Sequence, residues 1–173
     1  MKNKTAVKGF TLIELLIVIA LLGALAIGLL ATIDPFEQLK KGRDTATRNT
    51  ATEFYNANLR YYGTKGNFPW TTDIDIPINL ANASAGNAVS SLVAAGELKT
   101  NFSQAAGTNR LGRIYLTSTT TDEMVVCFTP ESKNFRLDSN TIYSTDGDAA
   151  ASAGCIANGG TGANATSCFW CIK

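Results

Sequence analysis

Residues 8–33, which read KGFTLIELLIVIALLGALAIGLLATI, decide the class of this chain. Apart from Glu14, the side chains of residues 10–33 are apolar, small or threonine. At ~1.5 Å per residue, a helix of this length covers about 36 Å, enough to cross a bilayer core with some tilt. The basic residues before this run are Lys2, Lys4 and Lys8. We therefore expect the N-terminus to stay cytoplasmic and the rest of the chain to face outward.

Glu14 is the unusual residue of this run. An acidic side chain within hydrocarbon costs about 2.5–3.5 kcal/mol by insertion scales, so it needs a partner and a purpose. Two ordinary interpretations of the segment supply neither. One is a secretory signal peptide cut after Ala24-Leu25-Ala26, and the other is a plain membrane anchor.

A third interpretation gives Glu14 a partner. A cut between Gly9 and Phe10 creates a free α-amino group at Phe10 and makes Glu14 the fifth residue of the product. When such helices pack in parallel with an axial stagger, the Glu14 carboxylate of one meets the amine of its neighbour. In a low-dielectric bundle this pair is strongly attractive, and other registers leave a buried charge alone. Glu14 would then set the assembly register.

The segment Lys8-Gly9-Phe10-Thr11-Leu12-Ile13-Glu14-Leu15 resembles the signal of type IV prepilins and type II secretion pseudopilins. That signal is a basic leader ending in Gly, followed by Phe-Thr-Leu-x-Glu and an apolar helix. The resemblance implies cleavage after Gly9 by prepilin peptidase and N-methylation of Phe10. It also implies that the inner-membrane pilus assembly machinery extracts the helix from the membrane into a helical homopolymer.

Small residues interrupt the apolar run, notably Gly23 and Gly28. They permit close helix–helix packing, and they also weaken the helix by about 1 kcal/mol per Gly relative to Ala. In similar pilins the corresponding stretch loses helicity in the filament, so we list Gly23, Gly28 and Pro35 as weak points. Both interpretations stay open.

A second helix is predicted from about residue 35 to residue 62. Asp34 suits its N-cap, Pro35 its first position and Glu37 its third. The face that it should bury is periodic. Its apolar or small members are Phe36, Leu39, Ala46, Thr50, Phe54, Ala57 and Tyr61.

We therefore predict an α+β, ladle-shaped chain with a long N-terminal helix whose apolar half protrudes. Its parts are a cleaved leader (1–9), a transmembrane and filament-core helix (10–33), an amphipathic spine (34–62) and a globular head (63–173). In the head we predict a helix at residues 88–98 and a small antiparallel sheet on the spine. Its strands would be residues 113–118, 123–129, 134–137 and 141–144. The sheet should bury Ile114, Leu116, Val125, Phe128 and Phe135.

Four cysteines lie in the C-terminal third, and an even count beyond a membrane-directing segment predicts disulfides in an oxidising compartment. They are Cys127, Cys155, Cys168 and Cys171. Four cysteines allow three connectivities. We favour Cys127–Cys168 with Cys155–Cys171, because it avoids the tight ring that Cys168–Cys171 would form.

Composition argues against catalysis. The 173-residue chain contains no histidine, the commonest general base and metal ligand. It also lacks a Gly-rich phosphate loop, a G-x-S-x-G turn and an H-E-x-x-H helix. We expect no enzyme activity and no cofactor. Asp146 and Asp148 form a calcium candidate, although calcium takes about 6–8 oxygen ligands and two carboxylates supply few of them.

The expected function is that of a structural subunit, the major pilin of a type IV pilus-like filament. Alternatives are a type II secretion pseudopilin and a minor pilin that acts as an adhesin or DNA-binding tip. A net charge of +1 gives nucleic acid no support outside that last alternative. The precursor should be a single-pass inner-membrane protein, and the assembled fibre should lie on the cell surface. Adhesion, motility and DNA uptake depend on partners encoded elsewhere.

Overall fold

The computed structural model describes residues 9–32, 34–70, 74–120, 123–141 and 168–173. The chain falls into two compact units that divide between Phe36 and Glu37. It is an α+β protein, as predicted, with an apolar N-terminal helix, further helices and a four-stranded antiparallel sheet. The Asp146 and Asp148 calcium candidates and Cys155 lie outside the described residues.

The first unit is built on one helix, α1 (Leu12–Thr32). All its described side chains are exposed, and even Val18, the least exposed of its large hydrophobic residues, retains 48% of its surface. The segment Leu12–Leu30 is long and apolar enough to cross a membrane. An apolar helix with so little of its surface covered within its unit requires a lipid or protein environment from outside.

The second helix, α2 (Pro35–Lys65), lies where a helix was predicted from about residue 35 to residue 62, and it ends slightly later. Asp34 caps it, since its Oδ1 accepts the Phe36 N–H at 3.1 Å. The helix stops at Gly66, whose φ of +74° suits a residue without Cβ, and whose N–H donates to the Tyr62 carbonyl at 2.8 Å.

The sheet follows the order β1 (Ile74–Asn79), β2 (Ile114–Thr120), β3 (Glu123–Phe128) and β4 (Trp170–Ile172), with every pair antiparallel. Three helices connect β1 to β2: α3 (Ala83–Ala94), α4 (Phe102–Ala106) and α5 (Thr108–Leu111). A short helix, α6 (Lys133–Arg136), follows β3. Strands β2 and β3 were predicted, whereas the two edge strands were not.

The two faces of the sheet have different partners, because strand side chains alternate. On one face, Ile114, Leu116, Val126 and Phe128 join Phe54 of α2 in the main core. On the other face lies a smaller cluster. Its members are Cys127, Phe169 and Cys171, with Tyr115 and Val125 packed against them. The prediction that Val125 faces the main core was therefore wrong by one position, since Val126 occupies that place.

Two further expectations were wrong. Residues 134–137 do not form a strand, because Ser132 caps α6 and accepts the Phe135 N–H at 3.3 Å. Phe36 and Leu39 are 73% and 61% exposed rather than buried. The buried side chains of α2 begin instead at Asp44. Of the strand predicted at residues 141–144, only Thr141 is described, and it lies outside the strands.

Asp44 is fully buried and joins α2 to the segment after β3. Its Oδ1 accepts from Arg113 Nη2 at 2.8 Å. Its two oxygens accept the Glu131 N–H at 3.0 Å each, and Oδ2 accepts the Ser132 N–H at 2.7 Å. Each carboxylate oxygen therefore has a donor, which offsets the cost of burying the charge.

Glu37 makes a second connection between the same two segments. Its Oε1 pairs with Lys40 Nζ at 2.8 Å, and its Oε2 accepts the Lys133 N–H at 2.9 Å. The Lys40 ammonium first, and then the Lys133 N–H, lower the pKa of the Glu37 carboxyl. The carboxylate thus stays ionised to lower pH than a free glutamate.

The disulfide prediction needs correction. Cys127 pairs with Cys171, directly opposite it in the β3–β4 register, with their Cα atoms 4.1 Å apart. The favoured Cys127–Cys168 and Cys155–Cys171 pairings are therefore wrong, because β4 runs beside β3 and places Cys171 at that position. Cys168 is also disulfide-bonded. The guanidinium of Arg48 lies 5.0 Å from the Trp170 ring centre and so connects β4 to α2 as well.

We predict that Asp44→Asn lowers the free energy of unfolding by about 3–5 kcal/mol, because it leaves the Arg113 charge without its buried counter-ion. Tryptophan fluorescence during chemical denaturation of the full chain in detergent measures this, since both tryptophans lie beyond α2. Glu53→Gln is the matched control, the same chemical change at an exposed position of α2. Equal stability of the two variants would contradict the role of Asp44.

Candidate functional site

The candidate site is the start of α1, where Thr11 is the N-cap residue and Glu14 the third residue of the helix. The Thr11 N–H and the Thr11 hydroxyl each donate to Glu14 Oε2 at 2.8 Å. In return, the Glu14 N–H donates to Thr11 Oγ1 at 3.3 Å. This reciprocal pair is a capping box, which satisfies two of the backbone N–H groups that a helix start leaves unpaired.

The capping box changes the interpretation of Glu14. Sequence reasoning gave its carboxylate a partner only in a neighbouring copy, yet the structure places one three residues away in the same chain. The signal was present as T-x-x-E before an apolar run. Thr11 is thus a further residue of the site, and its role in the capping box was not predicted from the sequence.

One oxygen of the Glu14 carboxylate accepts both of the bonds that Thr11 donates. Within the described residues, Oε2 accepts the two Thr11 donors and Oε1 accepts none. Glu14 itself is exposed, and Phe10, four residues earlier, is 87% exposed. The capping box therefore orients the carboxylate and leaves an oxygen available to a further donor.

Gly9 and Phe10 precede α1 and are exposed. A Cβ built at Gly9 meets no atom within 4 Å, and the same is true of Gly23 and Gly28. The helix runs through Gly23 and Gly28 without a break. Their predicted loss of helicity concerns the filament and stays a prediction. Pro35 is the first residue of α2.

Outside this segment, the described residues hold no group of three His, Cys, Asp or Glu side chains placed to bind a metal ion. At the N-terminal end of the described residues lie a small residue, an exposed aromatic residue and a carboxylate, next to an apolar helix.

A family model described as the prokaryotic N-terminal methylation motif matches residues 4–30. Residues 4–30 carry a prepilin-type signal. Such signals occur in type IV pilins and pseudopilins. No curated protein and no solved structure matches the chain.

The prepilin-type signal supports a pilin-like or pseudopilin substrate. It implies processing by prepilin peptidase, handling by assembly machinery and polymerisation. Together with α1, it fits a membrane-anchored precursor. The motif is structural rather than enzymatic.

We predict that Thr11→Ala loosens the start of α1 by about 1 kcal/mol, the usual cost of losing a Ser or Thr cap. Amide hydrogen exchange of Glu14, measured by NMR in detergent micelles, should accelerate about fivefold as a result. Thr11→Ser keeps the hydroxyl and should exchange at the parent rate. An unchanged rate in the alanine variant would mean that the capping box contributes nothing to the helix start.

Proposed function

We propose that this chain is the precursor of a filament subunit, the major pilin of a type IV pilus-like fibre. Prepilin peptidase cuts between Gly9 and Phe10, and Phe10 is then N-methylated. The apolar helix anchors the precursor in the membrane and later packs in the filament core. The subunit has no catalytic role. The prepilin-type signal at residues 4–30 carries this proposal.

The geometry at the start of α1 supports the proposed role of Glu14. After cleavage, a neighbouring copy presents the ammonium of its Phe10, a cation that needs an anionic partner when it is buried. Glu14 Oε1 accepts no bond within the described residues and so is available to that ammonium. Oε2 remains bonded to Thr11, which limits the orientations that the carboxylate can adopt. An oriented carboxylate selects one axial stagger more sharply than a freely rotating one.

The remaining residues form the part that coats the fibre in this proposal. Residues 34–62 serve as the spine of the head, and residues 63–173 complete it. The cluster of Phe54, Ile114, Leu116 and Phe128 gives the spine a buried face. The Cys127–Cys171 disulfide closes the sheet edge at β4 and suits exposure to an oxidising exterior.

The alternatives are a type II secretion pseudopilin, which builds a short periplasmic fibre, and a minor pilin at a tip. The long stretch at residues 145–167, rich in Gly, Ala, Ser, Asn and Thr, suits an exposed surface. We therefore favour the surface fibre.

Protein sheared from the surface of cells that produce the chain should begin at N-methyl-Phe10. Its intact mass should be short of the reduced value by one pair of hydrogens for each disulfide. N-terminal sequencing and mass spectrometry measure both, and electron microscopy gives fibre length. Micrometre fibres support the major pilin, whereas short periplasmic fibres would identify the pseudopilin. A start near Ile27, or an intact Met1, would indicate a signal peptide or an anchor and overturn the proposal.

Two variants separate the charge of Glu14 from its capping role. Glu14→Gln keeps the capping box, because Gln at this position also serves it, but removes the charge. We predict that it lowers the yield of sheared filaments about tenfold or more, because the neighbouring ammonium stays unpaired. Thr11→Ala keeps the charge and should lower the yield much less.

Ile13→Leu is the control for a change at the start of α1, since it conserves side-chain volume at an exposed position and leaves the Glu14 charge and the capping box in place. Immunoblots of the membrane fraction check that each variant is produced and processed. Normal filaments from Glu14→Gln would show that the charge does not set the register.

A further inference from the structure

A charged cavity opens beside α2 in the second unit. Its volume is about 630 Å³, and three arginines line it together with Glu131 and the backbone around α5. The arginines are Arg43 of α2, Arg110 of α5 and Arg113, which precedes β2. They come from three separate segments, so the fold itself concentrates positive charge at this place.

The two carboxylates near the cavity are fully engaged. Glu131 Oε2 accepts from Arg43 Nε at 2.8 Å and Arg43 Nη2 at 2.7 Å, while its Oε1 pairs with Arg113 Nη1 at 2.7 Å. Asp44 is occupied by Arg113 and two backbone N–H groups. Three guanidinium groups thus face two carboxylates, which leaves one positive charge uncompensated.

Arg110 carries that charge. It is partly buried, and no described residue pairs with its guanidinium. Arg43 Nη1 also donates no bond to any described residue, since its bonds to Glu131 use Nε and Nη2. The cavity therefore presents N–H donors that no described residue occupies, and Glu131 holds one of the two guanidinium groups, that of Arg43. This is the geometry that recognises a carboxylate, because a guanidinium offers paired donors matched to two oxygens.

The second unit also presents a complementary anion. Glu53 is exposed on α2 and has no partner among the described residues. It lies ten positions after Arg43, about 15 Å further along the helix axis and on a different side of it. Arg110 and Glu53 form no ion pair within the chain. The helical filament of the proposed function is a heterologous assembly, in which each copy can offer its cavity to one neighbour and its Glu53 to another.

We propose that the arginine cavity receives Glu53 of a second copy, and that this ion pair joins neighbouring heads. The pairing rests on the proposed function, since it needs copies staggered along the filament axis. Arg110 and Arg43 Nη1 bind the incoming carboxylate, while Glu131 holds Arg43 and Arg113 in position and Asp44 holds Arg113. Each head uses one cavity and one Glu53, so every internal subunit makes the contact twice.

Charge reversal of the full chain in filament-producing cells tests the pairing. Arg110→Glu places an acid opposite Glu53 and should lower the yield of sheared filaments about tenfold, as expected when like charges meet at an interface. Glu53→Arg alone should lower it similarly. The double variant Arg110→Glu/Glu53→Arg restores opposite charges and should recover most of the parental yield. Lys99→Glu, the same reversal at an exposed lysine outside the cavity, should assemble as the parent does.

A second measurement does not depend on yield. In cells that produce Glu53→Cys and Arg110→Cys chains together, a bismaleimide cross-linker with a spacer of about 8–10 Å should join the two chains, because the Cα atoms on either side of an Arg–Glu pair lie too far apart for a direct disulfide. Either variant alone should give far less cross-linked product. Normal filaments from Arg110→Glu would overturn the proposal. So would failure of the double variant to recover assembly together with the absence of the cross-linked product between copies.

Failure of the proposed function looks different. In that case the parental chain is not cut after Gly9 and gives no fibres. Failure of the cavity pairing alone leaves the parental chain cut and assembled, while the charge variants behave as the Lys99→Glu control does.

Discussion

The buried carboxylate of Asp44 is the interaction on which the second unit depends. It lies on α2, yet its donors come from Arg113 before β2 and from the backbone at residues 131 and 132 after β3. Apolar contacts of Phe54 and its neighbours hold helix and sheet together without specifying a position along the helix axis. A buried charge with directional donors does specify one, because any slip leaves Asp44 or Arg113 uncompensated in a low-dielectric site. The same carboxylate holds Arg113 of the cavity, so the constraint that orders the core also positions part of its charged surface.

Glu14 has two separate properties to explain: its oxygen caps the start of α1, and its negative charge lies within an apolar run. The capping box needs a residue that accepts the Thr11 N–H, and a glutamine meets that need as well as a glutamate. Helix capping therefore explains an oxygen at this position but not a negative charge within an apolar run. The charge costs about 2.5–3.5 kcal/mol in hydrocarbon, more than a cap contributes. What remains to be explained is the ionised group itself, and we propose that a cation supplied by another chain offsets its cost.

The sequence predicted the two long helices, α1 and α2, and the central strands well, because their signals are local. An apolar run, the Asp34-Pro35 start of α2 and the alternation in β2 and β3 each lie within a few residues. The two edge strands, β1 and β4, were not predicted, and the reason differs between them. Strand β1 contains Pro77, which lacks an N–H and is tolerated at a sheet edge, while β4 has only three residues and depends on pairing with β3. The predicted disulfide pairing was wrong for the same reason that β4 was missed, since Cys171 lies beside Cys127 only when β4 pairs with β3. In the site, the cost of a carboxylate within an apolar run pointed to Glu14, and its bond to Thr11 was not predicted although the T-x-x-E spacing of a capping box is present. The fold alone brings together the three arginines of the cavity, Arg43, Arg110 and Arg113, and their spacing along the chain does not predict that they lie close together.

Register in a polymer of such chains needs more than an apolar helix. The exposed side chains of α1 are chemically alike along its length, so sliding one helix past another changes little apolar burial. A single charge pair at the helix start selects an axial position, but one contact leaves rotation about that point weakly defined. A second pair on the head, remote in sequence from the first, would restrict rotation as well as translation. If both proposed pairs form, two ionic contacts separated along each subunit would narrow the helical arrangements that apolar packing alone permits, while apolar surface supplies most of the attraction.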